Sequence, residues 1–250
     1  DIGKGVYVLS NDEFENLKLT KNETYLIKNL YKNSDINKYY CKNYEDTQKR
    51  KIIYLTRDLD INTFPNIKKH IFSYEKIIKN RASGRGEIQA ALKLGKWWVI
   101  FSARNKKIFE DEKIVCPQRS YLNTFGYNNG EFYASGDVYF ITNKKDEIKI
   151  KYILSILNSK LYYFWLKKRG KLKGEMLELY YKPLTEIPIK ILDDKIQNKL
   201  INIVEKLILI KKKNDESKKL EKEMNDIIYK NYNLSDEEIE FVENSYPKNN

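Results

Sequence analysis

The sequence predicts a mixed α+β fold, a mostly antiparallel β body with packed helices, followed by a long C-terminal helical segment. Three observations predict it. Short apolar runs bounded by turn residues recur through the first 190 positions. Apolar spacings of three and four residues mark two helices among those runs. Beyond Ile196 the helical period takes over almost to the C-terminus. At 250 residues the chain is long enough to bury a core without disulfides.

Val6–Leu9 reads as a strand and Ser10–Asp12 as a turn. Tyr25–Ile27 is a second apolar run, Asp35–Tyr39 follows it, and Lys51–Leu55 is a short strand. Phe64-Pro65 opens a helix whose buried face is Ile67, Ile71, Tyr74 and Ile78, ending near Arg81. Trp97–Phe101 is aromatic and β-branched, hence strand-like, with the paired tryptophans as core residues. Lys113–Pro117 is a strand closed by proline. Asn128-Asn-Gly130 signals a hairpin, with Val138–Ile141 as the return strand. One helix is expected from Ile150, burying Ile153, Ile156, Leu157, Leu161, Phe164 and Trp165 and stopping at Gly170. An extended segment then reaches Leu184–Ile189. Ile196, Leu200, Ile203, Leu207 and Ile210, followed by Leu220, Met224, Ile227 and Ile228, fit a bent helix or a helical hairpin. Ser235–Glu238 is a capping box with Leu234 and Ile239 placed for a hydrophobic staple, so a helix at 236–244 ends the chain. Residues 1–190 are expected to form the body. Residues 191–250 are expected to form a helical segment packing on it or on another part of a larger protein.

Composition excludes several chemistries. Cys41 and Cys116 form no CxxC pattern, so a cysteine-rich zinc site and a disulfide framework are not expected. His70 is the sole histidine, which rules out a histidine-pair metal site, and its pattern is that of a helix residue. No GxGxxG, Walker A or GxSxG motif occurs. The dipeptide Pro-Pro is absent, and with it any Asn-Pro-Pro-aromatic methyl-transfer motif. No apolar run approaches the roughly 18 residues of a membrane span. Free cysteines and the lack of a signal peptide suit a cytoplasmic protein. One weak pattern for metal-dependent nuclease chemistry remains, Asp111-Glu-Lys113 with Asp58 or Asp60 as a further acid.

The net charge is +12, and it is segregated. From Leu192 onward 11 lysines face 13 acidic residues and there is no arginine, a net of −2, which leaves +14 on the first 191 residues. Such segregation points to a polyanion partner for the body. Arginine carries the sharper signal, since its planar fork pairs with phosphate or guanine edges. Arg81 and Arg85 lie in a glycine-bearing stretch with no apolar period. Arg104, Lys106 and Lys107 form a second cluster, and Lys168, Arg169 and Lys171 a third, both beside aromatic residues. Arg119 follows Cys-Pro-Gln at a strand end, a rigid base for a polar reader or for a salt bridge. These nine are the candidate DNA-binding residues. No catalytic or metal-ligating residue is assigned.

The order of segments resembles the TaqI-like C-terminal specificity domain, the target-recognition domain of adenine-N6 DNA methyltransferases and fused restriction–modification enzymes. The resemblance rests on Gly5-Val6 through Asn11 to Phe14, and on Tyr25–Lys28 through Ser34–Ile36 to Tyr39, with Asn29 where the family commonly has proline. It continues through Phe64–Asn66 to Arg81, Lys96–Trp98, Lys113–Val115, Phe132-Tyr133, Val138–Phe140, Leu154–Lys160 and Ile187–Ile189. It closes on Asp226–Tyr229 and Tyr232–Glu238. This resemblance implies a sequence-specific double-stranded DNA recognition module that performs no catalysis itself. It implies a parent that is an S-adenosylmethionine-dependent, adenine-specific methyltransferase, with cofactor and catalysis in an upstream domain of the same polypeptide. A separate specificity subunit of a multi-chain restriction–modification system is the nearest alternative. A metal-dependent nuclease is the alternative of a different class.

Overall fold

A computed structural model of the chain describes residues 5–80, 86–101, 103–142, 148–211 and 214–247. In chain order the first elements are β1 (Val8–Leu9), α1 (Asn11–Asn16), α2 (Lys21–Thr24), β2 (Ile27–Tyr31), β3 (Tyr39–Tyr40), β4 (Arg50–Ile53), α3 (Pro65–Phe72), α4 (Glu75–Asn80), α5 (Gly86–Lys93) and α6 (Lys106–Glu110). There follow β5 (Lys113–Pro117), β6 (Arg119–Ser120), β7 (Gly126–Asn128), β8 (Tyr133–Ala134), β9 (Val138–Ile141), α7 (Ile150–Leu157) and α8 (Lys160–Arg169). The chain closes with β10 (Lys171–Lys173), β11 (Met176–Glu178), α9 (Tyr181–Thr185), α10 (Asp194–Ile210), α11 (Asp215–Asn231) and α12 (Asp236–Ser245). The α+β class with helices concentrated at the C-terminus is the one the sequence predicts.

The chain divides into two compact units. Unit 1 is the segment ending at Tyr31 together with Asn43–Phe109, and unit 2 is Lys32–Lys42 together with the segment from Glu110 onward. The helices beyond residue 190 therefore share a unit, and a core, with strands from the middle of the chain.

In unit 1, β4 is flanked by antiparallel partners, with Ile52 opposite both Val8 of β1 and Lys28 of β2. Leu9, Ile53, Leu55, Ile67, Ile71, Trp97, Trp98 and Val99 make its core. Glu23 is fully buried and serves two helices at once. Its carboxylate accepts from the Thr20 backbone N–H at 2.8 Å, closing the start of α2. It also accepts from the backbone N–H groups of Asn66 (2.7 Å) and Ile67 (3.0 Å), the orphan donors at the start of α3. Burial alone would raise this carboxyl, but these donors and the Asn66 amide outweigh it and hold the pKa down at about 2.

Three expectations in this unit are corrected, the first being the turn at Ser10–Asp12, where Ser10 instead caps α1 by accepting from the Glu13 N–H. The Ile67–Ile78 periodicity is not one helix: α3 stops at Ser73, and α4 restarts at Glu75. Trp97–Phe101 is not a strand but a turn, with Val99 N–H donating to the Lys96 carbonyl at 3.2 Å. Trp97, Trp98 and Val99 are all buried. A strand would send consecutive side chains to opposite faces, whereas a turn can deliver three in a row to one core.

In unit 2 the central strand β5 is buried along its length and pairs antiparallel with β7 and β9, while β3 pairs parallel with β7. Gly126 is needed at the β3–β7 contact, because a Cβ there would lie 2.9 Å from the Tyr40 carbonyl oxygen. The core is built from Ile114, Phe125, Tyr152, Leu154 and Leu157 with Leu200, Val204, Met224 and Ile228 of the C-terminal helices. The hairpin expected from Asn128–Gly130 is not formed: β9 takes the opposite edge of β5, so β7 and β9 never pair. The single helix expected from Ile150 to Gly170 is two, α7 and α8, broken at Asn158-Ser159. Buried Asn158 accepts from the Phe125 N–H (3.1 Å) and donates to the Phe125 carbonyl (2.8 Å), and Ser159 caps α8 by accepting from the Tyr162 N–H. The segment expected to be extended before Leu184 carries the β10–β11 hairpin and α9. α10 and α11 are a helical hairpin, turned at Lys211 in the left-handed region (φ +50°), and the closing helix has its Ser235–Glu238 capping box.

Candidate nucleic-acid interface

A small sheet in unit 2 orders its strands β10–β11–β6, all antiparallel. Gly174 makes the tight β10–β11 turn possible with its φ of +61°. Register then decides the chemistry. Lys171 on β10, Glu178 on β11 and Arg119 on β6 are direct cross-strand partners and form one row. The Arg119 Nε donates to Glu178 Oε1 at 3.1 Å, and the Lys171 Nζ lies 3.6 Å from Oε2. Glu178 is buried at 7% exposure, while the Arg119 side chain keeps 40% of its surface. Burial would raise the Glu178 carboxyl, but Arg119 and Lys171 outweigh it and lower its pKa. The Lys171 ammonium also donates to the Tyr180 hydroxyl at 2.8 Å, and its pKa is raised by that bond and by Glu178.

Helix α8 runs directly into this sheet. Its last turn carries Lys167, Lys168 and Arg169, where cations complement the helix dipole. Lys168 and Arg169 are exposed, and so is Lys173 on β10. Tyr121, one residue past β6, and Tyr181, just past β11, are large exposed rings at 61% and 73%. The result is a cation-rich sheet bordered by aromatic faces, the combination suited to phosphate and base contact.

The structure thus brings Arg119, Lys168, Arg169 and Lys171 together in unit 2. Arg104, Lys106 and Lys107 belong to unit 1. Lys106 and Lys107 are exposed at the start of α6, and Arg104 is half-buried, its carbonyl accepting the Tyr54 hydroxyl at 2.7 Å. Arg81 and Arg85 lie outside the described residues. The sequence reading missed Glu178, Lys173, Tyr121 and Tyr181. Two of these were within reach, because Tyr180-Tyr181 and Lys171–Lys173 adjoin the basic run it singled out. Glu178 was not, since only strand register pairs it with Arg119, 59 residues away.

The nuclease pattern fails on geometry. Lys113 is fully buried, its ammonium donating to the backbone carbonyls of Asp111 (2.7 Å) and Gly130 (2.6 Å). It clasps a loop and is not presented to water. Burial pushes its pKa down to about 8. Among the described residues no group of three or more His, Cys, Asp or Glu side chains is arranged to hold a metal ion. Among them, too, no helix is long and apolar enough to cross a membrane.

The family model of the TaqI-like C-terminal specificity domain matches residues 58–189, just over half of the chain. The type II methyltransferase M.MjaIV of Methanocaldococcus jannaschii is 26% identical over 234 residues, covering 89% of this chain and 73% of that protein. The type II methyltransferase M.HindII of Haemophilus influenzae is 31% identical over 170 residues, covering 62% of this chain and 31% of that protein. Among solved structures, the type IIL restriction-modification enzyme MmeI in complex with DNA shares the fold, with a TM-score of 0.68 at 13% identity over 94% of this chain and 32% of MmeI. The chain thus spans about a third of M.HindII and of MmeI. These findings define the class, a DNA specificity module of restriction–modification enzymes. The chain belongs to the TaqI-like C-terminal specificity domain family.

Proposed function

We propose that this chain reads the target sequence of double-stranded DNA on behalf of an adenine-N6 methyltransferase whose catalytic domain lies upstream in the same polypeptide. One observation carries this reading: the cation-rich β6–β10–β11 sheet and the end of α8 fall wholly within the residues that match the specificity-domain model. Lys168, Arg169, Lys171 and Lys173 neutralise phosphates and set the register, and side chains on the rigid sheet contact base edges. Fixing the register presents one adenine to the catalytic domain, where the base must leave the stack to be methylated. S-adenosylmethionine supplies the methyl group there. It does not fit this chain, which has no Asn-Pro-Pro-aromatic run. The groove between α8 and α12 is lined by Leu161, Phe164, Leu234, Phe241 and Val242 together with Glu237 and Glu238, and none of these side chains is a donor that could hold the carboxylate of the cofactor. No step of methyl transfer is therefore assigned to residues of this chain.

The test is duplex binding by the full-length protein as a function of salt. The logarithm of the binding constant should fall linearly with the logarithm of salt concentration, by about 0.9 for each phosphate engaged. A flat response overturns the reading.

A further inference from the structure

We propose that Arg119 is a guanine-reading residue and that Glu178 is the positioning residue that aims it. This rests on the DNA-reading function proposed above and deepens it from contact to specificity. Three features of the sheet carry it. First, Glu178 engages the Arg119 guanidinium through Nε, at 3.1 Å, and among the described residues the two terminal nitrogens of Arg119 make no hydrogen bond. A guanidinium gripped at Nε keeps both terminal nitrogens for a bidentate partner, and guanine offers one in its O6 and N7 acceptors. Second, the grip is rigid. Glu178 is buried, sits on the central strand of the sheet, and is held from the other side by Lys171. The neighbouring strand end is pinned as well, with the Leu179 N–H donating to the Gln118 carbonyl at 2.7 Å. Fixing the plane of the fork before binding reduces the ordering cost of a two-pronged contact. Third, Arg119 is 40% exposed although its partner is buried, so the pair presents a cation at the surface and keeps the anion beneath it. Lys171 has a different part. Its ammonium is shared between Glu178 and the Tyr180 hydroxyl, and a point charge carries no directional preference for one base.

The experiment is selection of bound duplexes from a randomised pool by the full-length protein, with sequencing of what is retained. The wild-type protein should show one position at which guanine is preferred roughly 10- to 100-fold and at which Arg119→Ala alone makes the four bases equivalent. Preference at all other positions should persist. Glu178→Gln should keep the guanine preference but weaken it, because the fork survives while its aim loosens. Arg119→Lys should lose it as Arg119→Ala does, since a lysine cannot make the bidentate contact. Lys168→Ala is the contrast and should lower retention of every sequence alike. If Arg119→Ala, with folding confirmed by circular dichroism, lowers retention uniformly and leaves each positional preference intact, Arg119 is only a phosphate contact or a structural pair, and the assignment is overturned. If the wild-type protein retains no sequence selectively, the DNA-reading function itself falls, which is a separate and recognisable result.

Discussion

At the scale of single residues, the buried charges of this chain divide by what satisfies them. Glu23 is ionised because the starts of two helices converge on it. Glu23→Gln keeps the shape but cannot accept from all of these donors. It should destabilise unit 1 by about 2 kcal/mol, read from chemical denaturation. The same carboxyl sets an acid limit. Its folded pKa of about 2 lies below the ordinary 4.5, so its contribution is complete above pH 4.5 and disappears as the pH falls toward 2. Denaturation curves of wild type and Glu23→Gln should therefore converge across that window. Lys113 shows the opposite sign. Its pKa falls from 10.5 to about 8 in the fold, so the folded state prefers the neutral amine, and stability rises with pH between 8 and 10.5. Lys113→Met strands the carbonyls of Asp111 and Gly130 and should cost about 1–3 kcal/mol at pH 7. The variant should also lack the rise in stability that the wild-type protein shows between pH 8 and 10.

At the scale of elements, what the sequence revealed was whatever depends on neighbours in the chain. β5, the helical character of the C-terminal segment and the capping box at Ser235 follow from local period and capping chemistry, and the structure has them, resolving the open choice between a bent helix and a hairpin as a hairpin. What it hid was decided by distant partners. The apolar stripe from Ile150 to Trp165 is continuous, yet Asn158 gives up helical geometry to bond both backbone groups of Phe125, 33 residues away. Nothing within reach of a helical window signals that. Asn158→Ala should remove both bonds and destabilise unit 2 by about 2–3 kcal/mol, because Phe125 keeps its buried backbone groups without partners. Thermal unfolding measures it. The turn at Asn128–Gly130 teaches the same lesson, since its glycine carbonyl accepts the Lys113 ammonium while its flanking strand pairs with β5. Of the interface, the basic residues were legible as charge runs, whereas the Lys171–Glu178–Arg119 row exists only once register is fixed.

At the scale of the whole molecule, charge is partitioned between functions. The first 191 residues hold a surplus of +14, and the C-terminal segment is close to neutral. The C-terminal helices place their apolar residues in the core of unit 2 and use their charges on one another, as Lys199 does with Glu223 at 3.6 Å, and on lysines of the same unit, as Glu205 does with Lys151 at 2.6 Å. Salt should therefore act through the body. Lys168→Ala and Arg169→Ala should each reduce the salt slope of DNA binding by about 1, whereas Lys219→Ala on α11 should leave it unchanged. Fluorescence anisotropy at a series of salt concentrations measures all three.

The path of the backbone sets a rule for re-engineering this protein. The chain leaves unit 1 after Tyr31, lends Tyr39 and Tyr40 to the sheet of unit 2, and comes back at Asn43 before crossing again at Phe109. No single cut separates the units, and a graft of unit 2 onto another scaffold needs three splices, one of them bringing a short peptide from far upstream. A chimera joined only at residue 109 would import the Arg119 platform but leave behind the edge strand that belongs with it, exposing the backbone of β7 to foreign strands.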